Sequence, residues 1–222
     1  MPSPKPLSNS AEEYLEAIER LQHSPEGVST TRLARHLDVK PASVSGMLRR
    51  LSDLGLITYR RYGRISLTAE GELRAHELIR RHRLAERLLT DVLGVPLEDA
   101  HDEACRIEHV LSPELENRIT QTLGRPEACP HGQPIDVSAD DHTISLAEAP
   151  PGRAFTIARL DDESPDMVRY LSERKLLPGH RVKVKLRESV GEVLVVDVGG
   201  QAHTLGAAPA ATIRVRPVRG RG

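Results

Sequence analysis

The run His101-Asp102-Glu103-Ala104-Cys105-Arg106-Ile107-Glu108-His109 constrains this chain more than any other stretch. On a helix, His101, Cys105, Glu108 and His109 stand at i, i+4, i+7 and i+8. At 3.6 residues per turn they fall within roughly a 100° arc. A core-facing helix would carry leucines on that arc. Imidazole, thiolate and carboxylate instead make a ligand shell for a divalent transition metal. Asp102 and Glu103 point elsewhere.

The rest of the chain gives that helix its setting. Two small domains or one large one fit 222 residues, and with no Trp and one Phe the cores must be aliphatic. No apolar run reaches the roughly 20 residues of a membrane span. The start, Met1-Pro-Ser-Pro-Lys-Pro6, is Pro/Ser-rich and lacks a signal-peptide core. A cytoplasmic protein is therefore expected, its two cysteines free thiols.

The net charge of −1 hides an asymmetry. Between Thr31 and Ser66 stand eight Lys/Arg against two acids, and between Glu98 and Glu148 twelve acids against three arginines. One part suits a polyanion and another a cation.

Apolar periodicity and caps predict a helix from Ser10, with Glu13 completing a capping box. A short helix follows, capped by Ser29 or Thr30. A third opens at Pro41 and stops at Gly55. Leu56–Thr68 reads as a basic hairpin turning at Tyr62-Gly63. Helix, helix, turn, helix and basic hairpin make a winged helix-turn-helix. Lys40, Pro41, Ala42, Ser43, Ser45, Arg49 and Arg50 lie at the recognition helix, and Arg60, Arg61 and Arg64 on the wing.

A long helix is expected over about 68–93, carrying His82 and Glu86 at i, i+4, then one over 101–111 and one capped by Ser112. Their apolar faces call for a dimer partner. Arg125–Pro151 reads as a linker with one ordered element, Cys129-Pro130-His131. From Gly152 the texture is β, and short strands with a helix at 165–175 suggest a small barrel. The expected fold is mainly α with a small β domain: a winged helix-turn-helix at 1–70, a helical domain at 71–140, a linker at 141–151 and a β-barrel at 152–222.

The ligand run lacks both the paired Cys-x-x-Cys of structural zinc and His-Glu-x-x-His. Cys105 and His109 have no apparent oxyanion element, so no enzyme and no small-molecule substrate are expected. A metal-buffering protein or a thiol-redox sensor stays open as a different class.

Arg81-His-Arg-Leu-Ala-Glu-Arg-Leu-Leu-Thr-Asp91 together with His101–Val110 closely resembles the diphtheria toxin repressor and manganese transport regulator family. Its members are metal-dependent bacterial transcriptional regulators. The resemblance covers nearly the whole chain and implies a Src-homology-like (ferrous-transport-A-like) barrel at the C-terminus. It further implies a homodimer on a palindromic operator in double-stranded DNA. Carried over, the activating site falls on Glu13, Cys105, Glu108 and His109, with Glu16 able to join.

A carboxylate at Glu13, where iron-responsive members have methionine, favours Mn(II). Cys105 pulls toward Fe(II), which remains the alternative. Zn(II), Co(II), Ni(II) or Cd(II) would substitute in vitro. The resemblance offers two second sites, one on His82, Glu86 and His101, the other on Glu86, Cys129, His131 and Asp166. Gly46 stands where iron-responsive relatives carry a base-reading glutamine.

Overall fold

The computed structural model describes residues 7–24, 26–60, 64–137, 142–161, 163–188 and 193–218. Arg61 and the Tyr62-Gly63 turn lie outside the described residues, as do residues 1–6. The chain gathers into two compact units, 1–81 and 82–222. Among the described residues no helix is long and apolar enough to cross a membrane.

The first unit opens with α1 (Asn9–Gln22), followed by α2 (Thr30–His36) and α3 (Pro41–Asp53). Helix α1 starts earlier than its expected Ser10 cap. Ser8 is the capping residue, through its carbonyl, which accepts from Ala11 and Glu12 amides at 2.8 and 3.1 Å. Leu7, packed against the core, carries the chain into that earlier start. Ser29 caps α2 by accepting from the Arg32 amide at 3.2 Å, and Pro41 opens α3.

Leu15, Ile18, Leu33, Val44, Leu48 and Leu51 form the core beneath these helices. Strands β1 (Ile57–Tyr59) and β2 (Ile65–Leu67) pair antiparallel as the wing. Thr68 then donates to the Gly55 carbonyl at 2.7 Å and accepts from the Gly71 amide. This fixes the start of α4 (Ala69–Asp91). Gly71 is obligatory there: a Cβ would sit 1.9 Å from the Leu56 carbonyl oxygen.

The second unit combines helices and a sheet. Helix α5 (Leu97–Ile107) runs into a 3₁₀ turn, Glu108–Val110, and α6 (Pro113–Thr122) follows, capped by Ser112. Leu84, Ala85, Leu89, Ala104, Leu111 and Ile119 pack together, and Cys129 and Ile135 from the following loop join them.

Beyond lie β3 (Ile144–Ser145), β4 (Ala154–Leu160), α7 (Pro165–Ser172), β5 (Arg181–Glu188), β6 (Val193–Val198), β7 (Gln201–Leu205), α8 (Ala207–Thr212) and β8 (Ile213–Pro217). The sheet order is β3-β8-β4-β5-β6-β7. The expected barrel is therefore not closed: among the described residues nothing pairs β7 with β3. Strand β3 is only two residues long, and α8 packs against β3, β6 and β8 in the gap where closure would occur. Bulges after Ile157 and Val184 bend β4 and β5 around the Phe155, Ile157, Val184 and Val196 core.

Candidate metal centre and nucleic-acid face

Helix α5 supplies His101 and Cys105, but it ends at Ile107. The four residues therefore do not share one continuous α-helical face. The tighter 3₁₀ turn takes over at Glu108 and swings its carboxylate inward, 1% exposed, while Cys105 stays at the surface.

There Glu108 meets α4. Its Oε2 stands 2.6 Å from His82 Nδ1, and its Oε1 stands 3.4 Å from His109 Nε2. The other nitrogen of His82 reaches Glu86 Oε1 at 3.2 Å and His101 Nδ1 at 3.1 Å. Cys105 Sγ lies 4.0 Å from His82 Nδ1 and 3.8 Å from His101 Nε2.

A second group adjoins the first. Glu86 Oε1 contacts His131 Nδ1 at 3.1 Å, and Glu163 Oε2 contacts His101 Nδ1 at 3.1 Å. His82, Glu86, His101 and Glu163 offer ligand atoms within 4.8 Å of one another. So do Glu86, Cys129, His131 and Glu163, and so do His82, His101 and Cys105. The two second sites weighed from sequence share Glu86; the observed groups also share Glu163 and form one contiguous cluster.

Asp166 is not in it. It sits in the first turn of α7, its side chain fully in solvent and paired with Arg169 at 3.3 Å. Glu163 takes that place, just beyond β4 and before α7 begins. Sequence reading missed it, and the signal was only the acidic run Asp161-Asp162-Glu163 at a strand end.

The Cys129–Gln133 loop reaches the cluster because it is fastened to β4. The Leu160 amide donates to the His131 carbonyl at 2.9 Å, and Gln133 Nε2 donates to the Leu160 carbonyl at 2.7 Å. Gly132, at φ +85°, makes the close approach possible. A Cβ there would lie 2.1 Å from the Ala158 carbonyl oxygen.

The electrostatics follow from burial against mutual charge. Burial works against a charged His82, but Cys105, Glu108 and Glu86 outweigh it and hold its pKa well above the ordinary value. Burial likewise opposes the charge on His101, yet Cys105, Glu163 and Glu86 push it up to about 11. His131 is raised against burial by Glu86. Burial would raise Glu86, but the three histidines draw it well below the usual carboxylate range. Burial pushes the Cys129 thiol well up, with Glu86 and Glu163 adding to it; partial desolvation opposes the charge on Cys105, but His101 and His82 outweigh it and lower its pKa.

These residues fit a divalent metal. The donor set mixes imidazole, carboxylate and thiol. Glu86 Oε2 is buried with no hydrogen-bond partner among the described residues. A buried carboxylate oxygen left without a partner is costly, and a cation would satisfy it.

Glu13 and Glu16 lie in the first unit. Glu13 is exposed and lines a pocket of about 380 Å³ with Tyr14, Ser43, Met47 and Arg50. Glu16 is paired with Arg20 at 2.8 Å. On the helix-turn-helix, Lys40, Pro41, Ala42, Ser43, Arg49 and Arg50 are exposed and Ser45 half-buried; Arg60 and Arg64 flank the wing, also exposed. A Cβ at Gly46 would meet nothing within 4 Å. The exposed face of α3 is thus small-residued at its start and cationic toward its end.

A winged helix-turn-helix coupled in one chain to a cluster of imidazole, carboxylate and thiol groups able to hold a divalent cation fits a metal-dependent regulator. Residues 6–65 match the family description "Iron dependent repressor, N-terminal DNA binding domain". Residues 68–136 match "Iron dependent repressor, metal binding and dimerisation domain", and residues 144–217 match "FeoA domain".

The chain is 34% identical over 208 residues to the iron-dependent repressor IdeR of Mycobacterium tuberculosis, covering 86% of this chain and 90% of that protein. It is 31% identical over 209 residues to the diphtheria toxin repressor of Corynebacterium jeikeium, covering 93% and 85%. Among solved structures, a manganese-dependent transcriptional repressor in complex with manganese superposes with a TM-score of 0.88 at 32% identity, covering 94% of this chain and all of that one. The chain belongs to the diphtheria toxin repressor family of metal-dependent transcriptional repressors.

Proposed function

We propose that this chain represses metal-uptake and homeostasis genes by binding a palindromic operator as a homodimer when Mn(II) is present. The observation that carries this is the pair of adjoining ligand groups meeting at Glu86, with one buried carboxylate oxygen left for a cation. The likeness to a manganese-bound repressor supports manganese. So does the hard carboxylate of Glu13 in the ligand set that family resemblance assigns.

In this reading Glu13, Cys105, Glu108 and His109 hold the activating ion. Glu86, Cys129, His131 and Glu163, with His82 and His101 beside them, hold the second. A bound cation supplies the positive charge that lets several anionic donors share one place. Glu108, which contacts His82 in this structure, would serve as one of the ligands, and Glu13 would contribute its carboxylate from α1. Fixing α1 sets the spacing of two recognition helices across the dimer axis. Metal and DNA binding are reciprocally coupled, typically by about 1–3 kcal/mol.

Lys40, Arg49, Arg50, Arg60, Arg61 and Arg64 serve the phosphates. Pro41, Ala42, Ser43 and Ser45 lie where base edges and thymine methyls come within reach. The test is anisotropy titration of a duplex selected from a random pool, at buffered free Mn(II), Fe(II) and Zn(II). Mn(II)-dependent binding that Glu13→Ala and Cys105→Ala abolish, with the dimer intact, supports the reading. Metal-independent binding overturns it.

A further inference from the structure

The outer face of the C-terminal sheet carries a row of cations that the metal centre does not use. In β5, Val182 and Val184 point into the core, so Arg181, Lys183 and Lys185 point outward. In β4, Phe155 and Ile157 are buried and Thr156 faces out; in β8, Val215 is buried and Arg214 and Arg216 face out. The register sets Thr156 opposite both Arg216 and Arg181. The sheet therefore presents Arg216, Thr156 and Arg181 in one row across three strands, with Lys183 two residues along.

Neighbouring strands lie about 4.8 Å apart, and alternate residues on one strand about 6.7 Å. Several cations thus crowd a small area. Acids compensate only part of it. Asp197, opposite Lys183 in the register, is paired with Lys185 at 3.7 Å, and Asp161 serves Arg159 and Arg214. Arg181, Lys183 and Arg216 are exposed and have no side-chain ion pair or hydrogen bond among the described residues. A solvated surface normally intersperses both signs, and like charges on neighbouring strands oppose pairing. Residues 144–222 carry thirteen Lys/Arg against nine Asp/Glu, and the last of the arginines, Arg219 and Arg221, follow β8 directly.

From this face we infer that the FeoA-like domain makes its own sequence-independent contact with the phosphate backbone of duplex DNA, through Arg181, Lys183 and Arg216. Charge complementarity selects the partner class, and the family's DNA-binding domain in the same chain makes duplex DNA the polyanion this face meets. The contact would add affinity and salt dependence without adding sequence preference. It rests on the DNA-binding reading but not on operator choice or on the metal sensed.

The experiment compares full-length wild type with Arg181→Gln/Lys183→Gln/Arg216→Gln on a long non-operator duplex, across a series of KCl concentrations. The expected result is weaker binding and a log Kd against log salt slope shallower by about 0.9 for each phosphate no longer neutralised. Melting and metal titration should stay as in wild type. Should the triple variant melt early, Lys183→Gln alone carries the test. Slopes identical to wild type overturn the inference. So does a variant that loses only its sedimentation with phosphatidylglycerol vesicles. Failure of the repressor reading itself would show differently, as operator binding by wild type that ignores metal.

Discussion

His82 Nδ1 and Glu108 Oε2 stand 2.6 Å apart, each about 1% exposed, and they join α4 to the 3₁₀ turn after α5. The contact links the two ligand groups, because the other edge of His82 faces Glu86. It sets an imidazole against a carboxylate that is almost wholly buried. Removing one partner of such a pair leaves the other charge stranded, at a cost of about 3–5 kcal/mol. His82→Ala and Glu108→Ala should each lower the urea midpoint of the metal-free protein. The double variant should lose less than the two singles together. A double-mutant cycle that sums without coupling would show that the pair contributes nothing.

Binding should release protons. His101, raised to about 11, and His82 and His131, also raised, hold protons near neutral pH when no metal is bound. Cys129 likewise keeps its proton. Ligation requires neutral imidazole and thiolate, so metal affinity should increase with pH from 6 to 9. For the metal-free fold the sign is opposite. A histidine raised on folding stabilises fully below about pH 6.5, and that stability is lost as pH climbs through its folded value. Calorimetry of Mn(II) binding in buffers of unequal ionisation enthalpy reads the release; heats that do not vary with buffer would contradict it.

Glu163, not Asp166, should govern the second site. Glu163→Gln keeps the shape and removes a charge within reach of Glu86, Cys129 and His131. One of two bound ions should be lost or weakened by about 10- to 100-fold, the range seen when the support of a ligand is removed. Asp166→Asn, on a fully exposed side chain, should leave stoichiometry and affinity unchanged. Metal content after dialysis distinguishes them, and the reverse pattern would restore Asp166 to the ligand set.

That reversal marks where sequence reading stops. Local rules placed Ser29, Pro41, Ser112 and the wing because each depends on a few neighbouring residues. Spacing along α4 and α5 found His82, Glu86, His101 and Cys105 for the same reason. The change to a 3₁₀ turn at Glu108 is set by packing, so a helical wheel misjudged the shared face. Glu163 comes from beyond a strand end, and only the loop fastened to β4 brings Cys129 and His131 beside it. Asp166 looked equivalent in sequence, but the first turn of α7 sends it to solvent, where the helix N-terminus favours an acid anyway. Strands β3 and β7 are short and polar enough to escape notice, and the open edge of the sheet followed from them.

Gly132 holds that loop against β4 in a conformation other residues rarely adopt. Gly132→Ala would meet the Ala158 carbonyl and displace Cys129 and His131 from Glu86. The second metal should be lost while the His82–Glu108 contact keeps its geometry. Thermal stability should fall by more than about 1 kcal/mol, since Ala is incompatible with the positive φ. Retention of both ions in metal analysis would mean the loop can dock without this approach.

Gly46 offers the opposite case. It lies in the middle of α3 on the exposed side, with open space where a methyl would go, so a side chain there strains nothing. Glycine in a helix interior costs about 0.8–1 kcal/mol relative to alanine. Gly46→Ala should therefore raise the unfolding free energy by a comparable amount, read as a higher urea midpoint at unchanged m. If the face containing Ala42, Ser43 and Gly46 lies close to base edges, the added methyl should weaken operator binding and leave non-operator binding unchanged. Gly46→Gln should go further and shift the preferred bases, because an amide can pair bidentately with adenine. Selection from a random duplex pool reads this directly: an unchanged consensus from Gly46→Gln would place this part of α3 away from the bases.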